Sequence, residues 1–153
     1  MASFLIQHGA VVNETVQEMT ALMVAAQGGH TGMVELLLQN GADVAFGKSL
    51  TALDLAVTGG HVDVLNMPLR YGADPNNNFS LLLLICAVQN DYIDIVQVLL
   101  DHGVDIQVRG SKDRTPLMYA DIRFDRDIAL LLLEYGADIT GTIWEIEYKE
   151  RFF

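Results

Sequence analysis

Five short strings at near-even spacing constrain this chain more than any other feature. QHGAVV, QNGADV, RYGADP, DHGVDI and EYGADI carry Gly9, Gly41, Gly72, Gly103 and Gly136, which lie 32, 31, 31 and 33 residues apart. A second string stands 21 residues before each of the last four glycines. It reads TALMVAA from Thr20, TALDLAV from Thr51, LLLICAV from Leu82 and TPLMYAD from Thr115. A unit of this length cannot bury an apolar face alone, so repeated units stack and share a core.

Each copy reads as two short antiparallel helices. Thr20, Thr51 and Thr115 are suited to N-cap the first helix, because a hydroxyl accepts from an otherwise unpaired backbone N–H. Pro116 falls at the first helical position, where a missing N–H costs nothing. GGH at 28–30 and at 59–61 breaks the first helix from the second, with NDY and RFD in the later copies. The second helix carries apolar residues at helical spacing: Met33, Val34, Leu36 and Leu37 in one copy, and Ile93, Ile95, Val96, Val98 and Leu99 in another. It ends at the glycine of G-A-D, where a left-handed residue closes a helix. The ten to twelve residues that lead to the next copy leave room for a tight turn or short hairpin, a finger.

This pattern resembles the ankyrin repeat, whose signature is a period of about 33 with T-P-L-H-x-A. The family also uses G-H between the helices, a leucine-rich second helix and a closing G-A-D. The resemblance implies an all-α solenoid of stacked antiparallel helix pairs with short hairpin or turn fingers. It divides the single domain 1–153 into a half repeat at 2–13, repeats at about 14–45, 46–76, 77–108 and 109–139, and a truncated repeat or C-terminal cap at 140–153.

Several positions depart from the family. The finger glycine of D-x-x-G is replaced by Glu18, Ser49, Ser80 and Asp113, so irregular hairpins are expected. Only the last finger, 105–114, has full length. The histidine of T-P-L-H is replaced by Met23, Asp54, Ile85 and Met118, of which Asp54 can still accept from the backbone. Pro68 aligns with Leu37 inside a second helix, where it removes a donor and crowds the Val64 carbonyl. A kink or early termination is expected there. The first unit lacks its first helix, leaving Phe4, Leu5 and Ile6 short of cover, and the tail 141–153 is rich in apolar residues.

Composition excludes several function classes. Twenty acidic and nine basic residues give a formal charge of −11, which repels phosphate backbones, so no nucleic-acid partner is expected. The longest apolar run, 81–88, is far short of the roughly 20 residues a membrane span needs. No membrane insertion is expected, and the start MASFLIQHGAVV lacks the basic region of a secretory signal. The lone cysteine, Cys86, forms no intrachain disulfide, and a cytoplasmic location is expected.

Catalytic and metal chemistry find little support. His30 and His61 sit in G-G-H, and His8 and His102 precede helix-ending glycines, so all four are expected to be structural. No zinc spacing or phosphate-cradling glycine loop occurs. Cys86 aligns with Val24, Leu55 and Tyr119 and is expected in the core as an inert thiol. Asp91 with Asp94, and Asp121, Asp125 and Asp127, are acidic clusters, the second interleaved with Arg123 and Arg126, where local ion pairing is expected. No cofactor is expected, and the chain is not expected to be an enzyme.

The resemblance implies a non-catalytic, monomeric scaffold that binds a protein partner on its concave face. An alternative is the ankyrin portion of a larger signalling enzyme or channel with catalysis elsewhere; a spacer without a ligand is a third possibility. By family analogy the contact residues are Gln17, Met19 and Gln27, then Lys48, Leu50 and Thr58, then Phe79, Leu81, Gln89 and Asn90, and last Lys112, Arg114 and Arg123. Met19, Leu50, Phe79 and Leu81 would make one apolar edge. Arg109, Lys112, Arg114, Arg123 and Arg126 gather basic charge toward one end.

Overall fold

A computed structural model describes residues 2–47, 50–77 and 82–145. The chain divides into two compact units, 1–81 and 82–153. In the first unit, α1 (Ala2–Gln7) leads to β1 (Thr15–Val16) and β2 (Met19–Thr20), followed by α2 (Ala21–Gln27), α3 (Thr31–Gln39), α4 (Ala52–Thr58) and α5 (Val62–Arg70). The second holds α6 (Leu83–Gln89), α7 (Ile93–Asp101), a 3-10 turn (Ser111–Asp113), α8 (Pro116–Arg123) and α9 (Arg126–Glu134). These are the helix pairs the repeats call for.

The caps work as the sequence implies. Thr20, Thr51 and Thr115 each accept, through Oγ1, from the backbone N–H three residues on. Asp54 completes a reciprocal cap, accepting from Thr51 N and Thr51 Oγ1, both at 2.7 Å. Its other oxygen is buried without a partner. The third copy has Leu82 at this position and no side-chain cap. At the far end of each second helix the closing glycine is left-handed. Gly41, with φ +83°, lets Ala42 N reach the Leu37 carbonyl at 3.0 Å. Nothing within 4 Å would meet a Cβ there, so backbone conformation and not space demands the glycine.

In the first unit α2 packs on α3 and α4, α3 on α5, and α4 on α5. Leu22, Ala26, Val34, Leu53, Ala56, Val57, Val64 and Leu65 fill its core. In the second, α6 packs on α7 and α8, and α9 on both α7 and α8. Leu83, Leu84, Val88, Ile95, Leu99, Leu117, Ile128 and Leu132 are its buried side chains. The second-helix stripe is narrower than spacing alone implies. Met33 and Ile93 are exposed, while Val34, Leu37 and Leu38, and Ile95, Val96, Leu99 and Leu100, are buried.

Four expectations are corrected. The helix through Pro68 does not end early: α5 has nine residues, as do α3, α7 and α9, and Pro68 is buried with Ala73 N bound to its carbonyl at 2.9 Å. Proline so near a C-terminus leaves only one interior bond to lose, and the surrounding core holds the turn. The first finger is a regular hairpin, with Thr15 opposite Thr20 and Val16 opposite Met19. Its two loop residues, Gln17 and Glu18, both take positive φ, at 52° and 65°, the pattern of a primed hairpin turn. Non-glycine residues accept this conformation at about 1–2 kcal/mol each. Cys86 is half-buried, not in the core, and lies beside Asn90 Nδ2 at 3.7 Å. Burial varies along its register: Val24 is exposed and Leu55 is buried.

The fourth correction concerns the acidic cluster on α8 and α9. Among the described residues the ion pair within 4 Å is Arg109–Asp113, at 3.0 Å. Asp125 instead caps α9 by accepting from Ile128 N, and Asp121 Oδ2 accepts from Ile143 N at 2.7 Å. Backbone N–H groups at helix starts take these carboxylates in place of flexible arginine heads. The beginning of the tail thus lies against α8, with Thr142 buried. Residues 146–153 lie outside the described residues, as does the question of how the whole tail caps the fold.

Candidate functional site

The turn between paired helices is set by one left-handed position per copy. Gly29, Gly60, Asp91 and Phe124 occupy it, with φ of 68°, 72°, 62° and 57°. At Gly29 the glycine is also needed for space. A Cβ on Gly29 would fall 2.7 Å from the His61 ring, which donates through Nε2 to the Gln27 carbonyl at 3.1 Å. His61 therefore ties its own turn to the preceding copy. His8 and His102 each donate through Nδ1 to a carbonyl four residues earlier, Phe4 O and Val98 O. All three rings have structural work.

In the first unit the candidate contact residues fall into two groups. Gln17, Met19 and Leu50 line a groove of about 660 Å³ between the first two fingers. Gln27 and Thr58 are exposed at the ends of α2 and α4, outside that groove. Thr58 Oγ1 donates to the Asp54 carbonyl at 2.9 Å. Lys48 lies outside the described residues. The groove's other walls are Met23, Ala45, Phe46 and Gly47, with Thr15, Glu18 and Asp43 beside them. Asn13 braces the second finger against the first: its Nδ2 donates to Gly41 O at 3.1 Å and its Oδ1 accepts from Asp43 N at 2.8 Å.

In the second unit Gln89 and Asn90 are exposed at the end of α6, where Asn90 Nδ2 donates to Cys86 O at 2.8 Å. Lys112 is exposed in the finger with φ 59°, and Arg123 is exposed at the end of α8. Arg114 is half-buried and lines a groove with Met118, Ile122, Phe124 and Ile143. Phe79 and Leu81 lie outside the described residues, so the apolar edge they would share with Met19 and Leu50 does too.

Sequence reasoning missed Phe46, Asp43 and Glu18 in the first unit and Phe124 in the second. Phe124 had a visible signal, since an aromatic stands where two earlier copies have glycine. It is 85% exposed and left-handed. Phe46 had none, because the finger that carries it is two residues shorter than the last one and carries no repeated string at that place.

Electrostatics single out three groups. The hydrogen bond between Asp91 and Asp125, reinforced by repulsion between the two carboxylates, raises Asp91 from its ordinary value; Arg123 opposes and Asp127 adds to it. Asp101, which accepts from the Tyr135 hydroxyl, pushes that phenol up, while Gln97 donates to the same oxygen. Thr140, donating from side chain and backbone, holds Asp138 below its ordinary value. None of these stands in an enclosed cleft with a nucleophile. Among the described residues no group of three or more His, Cys, Asp or Glu is placed to hold a metal ion. Nor is any helix among them long and apolar enough to cross a membrane.

Comparison with known proteins agrees with this geometry. A family model described as ankyrin repeats (3 copies) matches residues 1–79 and 53–143. No curated protein sequence matches the chain. Among solved structures, the human ASB11 ankyrin repeat domain superposes with a TM-score of 0.80 at 28% identity, over 90% of this chain. The chain spans 64% of the length of that solved domain.

Proposed function

The chain belongs to the ankyrin repeat family, and from that premise we propose that it is a non-catalytic module that holds a protein partner with its fingers and first helices. Ankyrin repeat domains are in general protein–protein interaction modules, and the helix pairs here follow that architecture. The observation that carries the proposal is the groove between the first two fingers. Its apolar walls, Phe46 and Leu50, each keep 36% of their surface exposed beside the groove. Exposed apolar surface of this kind tends to mark contact sites.

The contact residues belong to the proposal: Gln17, Met19, Gln27, Leu50 and Thr58 in the first unit, Gln89, Asn90, Lys112, Arg114 and Arg123 in the second, with Lys48, Phe79 and Leu81 from the fingers between. A cytoplasmic, monomeric protein is part of the same proposal, supported by the single cysteine and by the charge of −11. Imaging of a tagged chain and light scattering of the purified one check those two points.

The main test is capture from the source cell with a photo-crosslinker placed at Leu50 or at Gln89, read by mass spectrometry. Leu50→Ala and Gln89→Arg should weaken the captured interaction. Glu35→Arg and Asp94→Arg, on exposed faces of the second helices, should leave it intact. The reverse pattern would place the partner on the second-helix side and overturn the proposal.

A further inference from the structure

We propose that the groove between the first two fingers takes a short cationic segment of the partner protein that carries a large apolar side chain. This rests on the binding-module function proposed above and adds the chemistry of what is bound. The floor and walls are Met19, Met23, Phe46 and Leu50. The Met19 thioether adapts to the shape of an apolar guest over the buried Met23, and an aromatic wall gives it a rigid face. A volume of about 660 Å³ suits a peptide side chain with its flanking backbone and lies within the range of about 300–1,000 Å³ of ligand clefts.

Among the described residues the charge around that floor is of one sign. Glu18 and Asp43 stand in the lining, and no cation lines the groove among the described residues. Neither carboxylate is in an ion pair within 4 Å there. Asp43 Oδ1 accepts from Ala45 N at 2.9 Å, which fixes the carboxylate in place. The unit of residues 1–81 has seven acidic side chains against two basic ones, Lys48 and Arg70. Carboxylates beside low-dielectric walls focus their field into the cleft and favour a cationic guest. An anionic guest is repelled, and a bare cation would leave the apolar floor unfilled. Lysine or arginine flanking a leucine or phenylalanine satisfies both parts.

The test uses the purified chain and a fluorescein-labelled octapeptide, G-K-R-L-F-K-R-G, read by fluorescence anisotropy. Binding in the micromolar range is expected, with amide shift changes centred on residues 15–23 and 43–50. The double variant Glu18→Gln with Asp43→Asn keeps the turn, because an asparagine Oδ1 still accepts from Ala45 N. It should weaken binding about tenfold or more and flatten the salt dependence. Leu50→Ala and Phe46→Ala should each weaken it to a similar degree with the salt dependence unchanged. A peptide with glutamate at every lysine and arginine should not bind.

Equal binding of the acidic peptide would overturn the proposal, as would no binding of the basic one at about 1 mM. An unchanged affinity in the double variant, with a native circular dichroism spectrum, would overturn it too. If the basic peptide fails while the crosslinked partner is still lost on Leu50→Ala, the module remains and only the cationic guest is wrong.

Discussion

Asp91 shares a hydrogen bond with Asp125, so that two carboxyl groups from successive inter-helix turns meet in the second unit. Asp125 is already committed as the acceptor that caps α9 at Ile128 N. Asp91 is therefore the partner that gains by keeping its proton, and its pKa lies above the ordinary 3.8. An acid raised in this way binds more protons folded than unfolded. The stability it contributes is fully present below the unfolded pKa, near 3.8, and is lost as pH rises through the folded pKa. Asp91→Asn removes that loss. The variant should melt above the parent at neutral pH, and the two should converge as pH falls toward 3.8. Melting curves displaced by the same amount at every pH would show that the pair is not the cause.

Phe124 holds the left-handed turn that Gly29 and Gly60 hold in earlier copies, and it is almost fully exposed. The conformation costs a bulky residue about 1–2 kcal/mol, and little packing offsets it. Asparagine tolerates the same φ. Phe124→Asn should raise stability by up to about 1 kcal/mol in urea titration. A loss instead would mean that the ring, with Ile122 and Ile143 along the same groove, contributes more packing than its exposure implies.

Pro68 is buried where Leu37, Leu99 and Leu132 are buried in the other copies. Pro68→Leu restores an N–H donor and relieves the crowding of the Val64 carbonyl. The thermal midpoint should rise, with about 3 kcal/mol as the ceiling set by the proline penalty. An unchanged or lowered midpoint would show that the core has closed around the smaller ring and that leucine overfills it.

Leu37 and Gln39 lie two residues apart on α3, one buried and the other exposed, with Gln39 Nε2 donating to Glu35 Oε1 at 3.2 Å. Leu37→Ala should cost about 2–5 kcal/mol, because it leaves a cavity under the helix pair. Gln39→Ala should change stability by less than about 0.5 kcal/mol. Chemical denaturation of both variants checks the contrast, and equal losses would contradict the burial of this face.

What the sequence determined by itself is local. The threonine caps, Pro116 at a helix start and the closing glycines depend on groups within about five residues of one another, so the strings that encode them can be read in place, and they recur with a period of 31 to 33. The helix pairs follow, and with them the family and its general role. What only the tertiary structure decided involves groups that are distant in sequence. Asp91 meets Asp125, Asn13 binds Gly41 and Asp43, and His61 reaches Gln27, each across about one repeat. The width of the buried stripe, the half-burial of Cys86 and the uninterrupted helix at Pro68 depend on what the neighbouring copy presses against them. The groove is the strongest case. Phe46 and Glu18 line it because two fingers of unequal length stand side by side, and no period in the sequence records how far apart two packed backbones come to rest.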